Sequence, residues 1–165
     1  MFNIVLYEPE IPPNTGNIAR LSLATGCRLI LKRPLGFSIS DRAVRRAGLD
    51  YWKHVLITLI DSLDELDEIL PLSRRFFLST KASNPFWTPK FIRGDTFIFG
   101  PESRGLPENL IKDNDSAIKI PMVDGPVRSL NLSTSVGIVV YEALRQVSLN
   151  SHLPIEQSLP LTFWE

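Results

Sequence analysis

The sequence predicts an α/β fold with a mainly parallel sheet, built as one domain. Short apolar runs of strand length alternate with segments whose apolar residues recur at helical spacing. The runs are continuous rather than alternating in polarity, which is typical of strands buried on both faces of a parallel sheet. A chain of 165 residues, 44% of them hydrophobic, suffices for one core and is short for two. We assign residues 1–150 to this domain and 151–165 to a C-terminal tail.

The first strand and the first helix are predicted from the N-terminal residues. Residues 2–7 form a continuous apolar run, which predicts the first strand. Two prolines end the extended stretch, and Asn14 is an N-cap residue type that predicts a helix from there to about Thr25.

The later elements follow the same alternation. Further strands are predicted at 27–31, 54–60, 75–80, 95–99 and 117–120. Further helices are predicted at 41–49, 62–70, 106–111 and 131–147. Ser62 and Glu65 have the spacing of a capping box at the start of one of these helices. The segment 131–147 has the clearest 3.6-residue period of the chain.

Composition and charge exclude several classes of protein. No stretch reaches the roughly 20 apolar residues of a membrane span, and the start lacks the basic leader of a signal peptide. The lone Cys27 excludes an internal disulfide and suits a reducing compartment, so we expect a soluble cytoplasmic protein. Net charge is zero, which argues against a generally basic nucleic-acid-binding coat. Five of the eighteen acidic residues fall within 61–68, so local basic clusters are still possible elsewhere.

Common catalytic motifs are missing from the sequence. No G-x-G-x-x-G follows the first strand, and there is no P-loop. Pro101 stands where a nucleophile elbow around Ser103 requires glycine. The two histidines, His54 and His152, lie in an apolar run and in the tail, so we expect neither a serine triad nor a metal site.

Three polar segments that contain or adjoin glycine lie at the ends of predicted strands: 14–20, 99–107 and 120–133. In an open α/β sheet, ligands bind at the carboxyl edge of the strands. In the first segment, Asn17 and Arg20 are three residues apart on one helix face, where an amide and a guanidinium near a helix N-terminus suit an anionic oxygen. The alternative for Arg20 is an ordinary solvated arginine. Gly16 within the first helical turn favours a close backbone approach.

The other two segments also allow two interpretations each. The loop with Gly100 and Gly105 directs backbone groups rather than long side chains toward a ligand, or it is a plain turn. Ser129 and Asn131 precede the long helix, so they are either helix caps or parts of a site.

Taken together, these segments resemble a known family. N-x-G-N-x-x-R at 14–20, F-G-P-E-x-R-G-L-P at 99–107, and I-P-M, R-S-L-N-L-S and V-Y-E-A within 120–143 resemble the SPOUT superfamily of RNA methyltransferases. More narrowly, they resemble the bacterial tRNA (cytidine/uridine-34) 2′-O-methyltransferases. The similarity covers roughly residues 1–147 in order.

The resemblance implies a fold and a cofactor. The fold would be a single α/β domain with a deep trefoil knot in its C-terminal part, a feature that periodicity cannot reveal. The cofactor would be S-adenosylmethionine, held by three loops. The residues implied in cofactor binding are Leu78, Gly100, Glu102, Ile120, Ser129 and Leu130. We expect Glu102 to fix loop geometry rather than to exchange protons.

The resemblance also implies catalytic residues. Arg20 matches the family's catalytic arginine, and we expect its permanent positive charge to stabilise the developing oxyanion or a nearby phosphate. Ser129 and Asn131 would position the substrate or order the knot, and Tyr141 is a further candidate.

The implied substrate is the ribose 2′-hydroxyl of nucleotide 34 in the anticodon loop of tRNA, in leucine isoacceptors. Arg42, Arg45 and Arg46 share one face of a predicted helix and would contact RNA phosphates, or they form a solvated face. A homodimer is implied because family active sites use both protomers, and the helix 131–147 suits either its interface or the core. Two alternatives stay open: an enzyme that methylates another tRNA or rRNA ribose, and an RNA-binding relative without catalysis.

Overall fold

The computed structural model describes residues 1–38 and 54–151. Several predictions lie outside the described residues: the helix at 41–49 with Arg42, Arg45 and Arg46, and nearly all of the tail, from His152 onward. None of the helices in the described part combines the length and the apolar character that a membrane span requires.

The described residues form one parallel sheet of seven strands, which confirms the predicted fold class. The strands are β1 (Asn3–Tyr7), β2 (Arg28–Lys32), β3 (Ile57–Ile60), β4 (Arg75–Leu78), β5 (Asn84–Pro85), β6 (Thr96–Phe99) and β7 (Ala117–Lys119). Their spatial order is β3-β2-β1-β6-β4-β7-β5, and neighbouring strands pair in parallel. β5 lies between the predicted strands 75–80 and 95–99, where no further strand was predicted. It is a two-residue edge strand, and an edge position tolerates the missing N–H of Pro85.

Three α-helices are described: α1 (Pro12–Thr25), α2 (Glu65–Ile69) and α3 (Leu132–Ser151). α1 begins three residues earlier than predicted, since its N-cap is Ile11 rather than Asn14 and prolines occupy its first positions. Proline suits that place because its fixed φ is already helical and it has no N–H to satisfy. The predicted cap at Asn14 is therefore wrong, and its side chain is engaged elsewhere. Gly26 ends the helix in the left-handed region, at φ 63°.

Two other predicted helices are shorter than expected. α2 starts after Asp64, and Oε1 of Glu65 accepts bonds from the backbone N–H groups of Asp61 and Ser62, at 2.7 and 2.8 Å. One of the two hydrogen bonds of the predicted capping box, from the backbone N–H of Ser62 to the side chain of Glu65, therefore forms. The predicted helix at 106–111 is a single 3-10 turn, Glu108–Leu110, because Pro107 is extended before it and Asp113 has φ 55° just beyond it.

The core lies on both faces of the sheet, as continuous apolar strands predict. In β1, Ile4 and Leu6 point toward α1 and α3, whereas Val5 packs on the opposite face with Leu66. The apolar positions of α3 from Val136 to Leu144 are buried in the first of these clusters. This face of α3 therefore serves the core, and the participation of the helix in a dimer stays a prediction.

The strand order creates a topological switch point at one edge of the sheet. The chain runs outward from β1 to β3 in one direction, then returns to build β4, β5 and β7 on the other side, with β6 inserted next to β1. The carboxyl ends of β1, β6 and β4 are therefore neighbours, although their sequences are far apart. In open α/β sheets, this is where ligands bind.

Candidate active site

A cavity of about 470 Å³ opens at this switch point. Its wall consists mainly of three segments, 79–81 after β4, 99–106 after β6, and 128–132 before α3, with Ile11 and Asn14 at the start of α1. Phe99, Leu106 and Leu132 are buried around it, whereas Lys81, Arg104 and Arg128 are exposed at its rim. The volume is within the range of small-molecule sites, about 300–1,000 Å³.

Most residues predicted to bind a cofactor meet here. Gly100, Glu102, Ser129 and Leu130 line the cavity, together with Asn131, which was predicted to position the substrate or order the knot. Ile120 lines an adjoining hollow of about 420 Å³, which shares Thr80 and Arg128 with the first. Leu78 is half-buried against the core and directly precedes the lining residue Ser79.

Glu102 connects the β6 loop to the start of α1. Its carboxylate accepts hydrogen bonds from the backbone N–H of Glu10 at 2.8 Å and of Ile11 at 3.3 Å, and from Nδ2 of Asn14 at 2.9 Å. A carboxylate at a helix N-terminus satisfies N–H groups that have no partner within the helix. This glutamate is thus engaged by three donors, an arrangement that orders the loop.

Asn131 joins the third segment to the same network. Its Nδ2 donates to Oδ1 of Asn14 at 2.9 Å. Its Oδ1 accepts from the backbone N–H and the hydroxyl of Ser133 and from the N–H of Thr134, at 2.9, 2.7 and 3.3 Å. Asn131 is therefore a helix cap, since its oxygen caps α3, and its amide nitrogen fixes the helix start against α1.

Gly100 allows the β6 loop to close tightly. A Cβ atom added there would lie 2.3 Å from the backbone nitrogen of Leu106 and 2.4 Å from the carbonyl carbon of Gly105. Gly105 has φ 70°, where other residues are strained. The two glycines let the backbone of 100–106 fold back on itself beside the cavity.

A charged cluster that the sequence analysis missed supports this loop from the β1 side. Glu10 accepts hydrogen bonds from the backbone N–H of Ser103 at 2.9 Å and from its hydroxyl at 2.7 Å. Arg104 pairs with Glu10 at 3.0 Å and also with Glu8, which is 2.6 Å from Nζ of Lys32. The hydrogen bond from Lys32, together with Arg104, lowers the pKa of Glu8. The hydrogen bonds from Ser103 lower the pKa of Glu10.

Two predicted catalytic residues lie away from the cavity lining. Arg20 is exposed on α1, eight residues after the first helical residue and so about 12 Å along the axis. The positive end of the helix dipole acts only within about the first turn, so the prediction that Arg20 lies near a helix N-terminus is wrong. Tyr141 is half-exposed on α3, and neither residue is among those that line the cavity.

Other features of the described residues do not suggest a competing site. A cavity of about 530 Å³ at the amino edge of the sheet is lined by Met1, Cys27 and His54, among others. Burial raises the pKa of the Cys27 thiol, which keeps it protonated and unreactive at neutral pH. Within residues 1–38 and 54–151, no group of three histidine, cysteine, aspartate or glutamate residues is arranged to hold a metal ion.

Comparison with known families gives a consistent result. The model of the SpoU rRNA Methylase family matches residues 1–141. A tRNA (cytidine(34)-2′-O)-methyltransferase of Methylovorus glucosotrophus is 48% identical over 149 residues, which are 88% of this chain and 96% of that protein.

Solved structures agree with this result. A structure described as giving structural insights into the 2-OH methylation of C/U34 on tRNA has a TM-score of 0.83 and 49% identity, and the match covers 92% of this chain and 97% of that one. An AdoMet-bound rRNA methyltransferase from Sinorhizobium meliloti shares the fold at a TM-score of 0.75 and 24% identity. That match covers 87% of this chain and 56% of the larger protein.

Proposed function

The chain belongs to the SpoU rRNA methylase family, as its sequence motifs predict, and we propose that it methylates the ribose 2′-hydroxyl of nucleotide 34, cytidine or uridine, in tRNA. S-adenosylmethionine supplies the methyl group. The observation that carries this proposal is the 48% identity to a tRNA (cytidine(34)-2′-O)-methyltransferase along almost the full length of both chains. Sequence identity over this length includes the loops of the chain as well as its strands and helices.

The cavity at the switch point suits the proposed cofactor. Its floor is apolar, from Phe99, Leu106 and Leu132, and its loops offer backbone groups of 79–81 and 100–106 to an adenosine. The close packing around Gly100 fixes the course of the 100–106 backbone. The residues that would hold the cofactor are those predicted from the sequence: Gly100, Glu102, Ser129 and Leu130 around the cavity, with Leu78 and Ile120 beside it.

The methyl carbon of a sulfonium cofactor is electrophilic, so the protein must position and activate the 2′-hydroxyl. We assign this task to Arg20, whose guanidinium stays protonated and stabilises negative charge on the 2′-oxygen or on an adjacent phosphate. Ser129 and Asn131 hold the substrate ribose or the loop beside it, and Tyr141 is a further candidate. Glu102, already engaged by three donors, orders the loop.

The position of Arg20 supports a composite active site in a homodimer. Arg20 is exposed on α1 and lies outside the cavity lining of its own chain. A second copy that docks beside the cavity mouth brings its own α1 to the site, so that each site combines one chain's cofactor loops with Arg20 of the partner subunit. The interface uses the exposed residues around α1 and the cavity, since the apolar face of α3 is buried in the core.

The family relationship supports further proposals about the domain, the RNA contacts and the substrates of this protein. Residues 1–150 are the methyltransferase domain, with the trefoil knot in its C-terminal part, and 151–165 are a tail. Arg42, Arg45 and Arg46 contact RNA phosphates, and the substrates are leucine isoacceptors modified in the cytoplasm. The anticodon loop is a suitable target because single-stranded nucleotides can be splayed out and read, unlike those in an A-form stem.

The test is methyl transfer to tRNA that lacks its wobble methylation. Purified protein is incubated with tritiated cofactor and this tRNA, and the modified nucleotide is mapped by nuclease digestion and mass spectrometry. We expect 2′-O-methylation at nucleotide 34. Methylation at another tRNA or rRNA ribose would refute the position while keeping the chemistry, and folded protein that neither binds cofactor nor transfers methyl would refute the enzyme.

A further inference from the structure

Two exposed cations, Lys81 and Arg128, lie at the rim of the cavity. Lys81 follows β4 and Arg128 precedes α3, and both line the cavity. Neither forms an ion pair with a described carboxylate, although five other arginines do: Arg33, Arg74, Arg75, Arg104 and Arg145. Uncompensated positive charge at the mouth of a cavity indicates an anionic ligand.

The third cation of the rim provides a contrast. Arg104 is held by Glu8 and Glu10, so its charge is offset within the protein. Arg128 shares its adjoining hollow with Asp124, yet the two form no ion pair in the described structure. The positive charge available for a ligand is thus concentrated at Lys81 and Arg128.

The proposed cofactor does not explain these two charges. S-adenosylmethionine carries a sulfonium and an ammonium against one carboxylate, so it is itself a net cation, and like charges at close range repel. The cavity floor is formed by the buried residues Phe99, Leu106 and Leu132, whereas both cations are exposed at the entrance. They therefore face a ligand that lies over the mouth, beyond a small molecule bound on the floor.

We propose that Lys81 and Arg128 bind the phosphates that flank the target nucleotide of the substrate RNA. This inference rests on the proposed function and adds the surface on which the RNA lies. Each cation contacts one phosphate at the cavity rim, and the ribose between those phosphates is held over the mouth. Such contacts fix register and orientation and carry little sequence information themselves.

The experiment measures RNA affinity and its salt dependence. The probe is an unmodified anticodon stem-loop RNA with a fluorescent label, titrated with the full-length protein at several salt concentrations. The test variant combines Lys81→Gln with Arg128→Gln, and both side chains are exposed, so the fold should be retained. The matched control combines Lys90→Gln with Arg93→Gln, which removes the same charge from the loop before β6, at the amino edge of the sheet.

The expected result is specific to the rim. The slope of log affinity against log salt should fall by about 1.4–1.8 in the test variant, at roughly 0.7–0.9 for each lost phosphate contact. The control should keep nearly the whole wild-type slope. In methyl transfer, the test variant should show a raised KM for RNA and a kcat near that of the wild type, and calorimetry should show unchanged cofactor affinity.

Other outcomes separate this inference from the proposed function. If the wild type methylates nucleotide 34 and the test variant keeps its slope and its KM, the RNA-phosphate assignment is wrong while the function stands. If the test variant loses cofactor affinity with an unchanged slope, the two cations serve the cofactor instead. A wild-type protein without affinity for the RNA would overturn both proposals.

Discussion

The side-chain amide of Asn131 donates a hydrogen bond to Oδ1 of Asn14 across 2.9 Å, although 117 positions separate the two residues. Nδ2 of Asn14 in turn donates to Glu102. The three glycine-associated segments are therefore joined through one pair of asparagines, with Glu102 and Asn131 on either side of Asn14. A substitution in any one of the three segments should alter the effect of substitutions in the other two, because neighbours in one hydrogen-bond network are not independent.

Replacement of Glu102 by alanine should destabilise the protein by about 1–3 kcal/mol. The change leaves the backbone N–H groups of Glu10 and Ile11 and the amide of Asn14 without their acceptor. Urea unfolding measures the loss, and Glu68→Ala, at an exposed position of α2, is the control. Equal midpoints for the two variants would show that the network contributes little.

Gly100→Ala should weaken cofactor binding by about tenfold or more. The added methyl group lies 2.3 Å from a backbone nitrogen, so the loop must move, and overpacking of this kind costs about 1–3 kcal/mol. Calorimetric titration with S-adenosylhomocysteine measures the effect. Gly137→Ala is the control, because a Cβ at this position of α3 meets nothing within 4 Å. Wild-type affinity in Gly100→Ala would mean that the loop is not part of the cofactor site.

Arg20→Ala should retain cofactor binding and lose methyl transfer by about 10²–10³-fold or more. Loss of one preorganised partner for a developing oxyanion has an effect of this size. Single-turnover transfer of a tritiated methyl group measures it. Arg28→Ala removes an exposed arginine near the amino edge of β2 and should transfer at the wild-type rate. Near-normal turnover by Arg20→Ala would identify Arg20 as an ordinary solvated arginine.

A mixture of Arg20→Ala and Gly100→Ala should recover activity if the active site is composite, when it is assayed at a cofactor concentration too low to occupy the Gly100→Ala site. Arg20→Ala keeps an intact cavity, and Gly100→Ala keeps an intact Arg20, so a mixed dimer contains one complete site. Random exchange of subunits in a two-fold dimer should restore about a quarter of the wild-type activity. Light scattering should first give twice the 18.6 kDa mass of one chain. A monomer, or a dimer in which mixing restores nothing, would contradict the shared site.

The cluster around Glu8 should make stability depend on pH in the acid range. The pKa of Glu8 is lowered in the folded protein by the hydrogen bond from Lys32 and by Arg104. A lowered folded pKa stabilises the native state fully above the ordinary glutamate pKa of about 4.3, and this stabilisation is lost as the pH falls from there through the folded pKa.

Glu8→Gln should accordingly lower the free energy of unfolding at pH 7, by about 1–3 kcal/mol, and flatten its decline below about pH 4. Urea unfolding at a series of pH values measures both effects, and Glu68→Gln is the exposed control. An acid slope equal to that of the wild type would show that Glu8 does not contribute to it.

The sequence by itself determined the sheet and the long helix. Residues 2–7 are apolar without interruption, and a strand with this pattern must be covered on both faces, which is what β1 shows. The period of 131–147 predicted α3 because helical spacing gathers its apolar side chains on one face. The motifs at 14–20, 99–107 and 120–143 also identified the family, since loop sequence motifs of that length are specific.

Only the tertiary structure decided what the polar residues contact. Asn14 is a good N-cap by type, but the prolines before it start the helix earlier, and its amide then meets Glu102 and Asn131 from distant segments. The apolar face of α3 suits a core and an interface equally in sequence, and in the structure its neighbours are core residues. Burial follows from local pattern, whereas a hydrogen bond or an ion pair depends on which distant atom lies within about 3 Å, and local pattern does not contain that information.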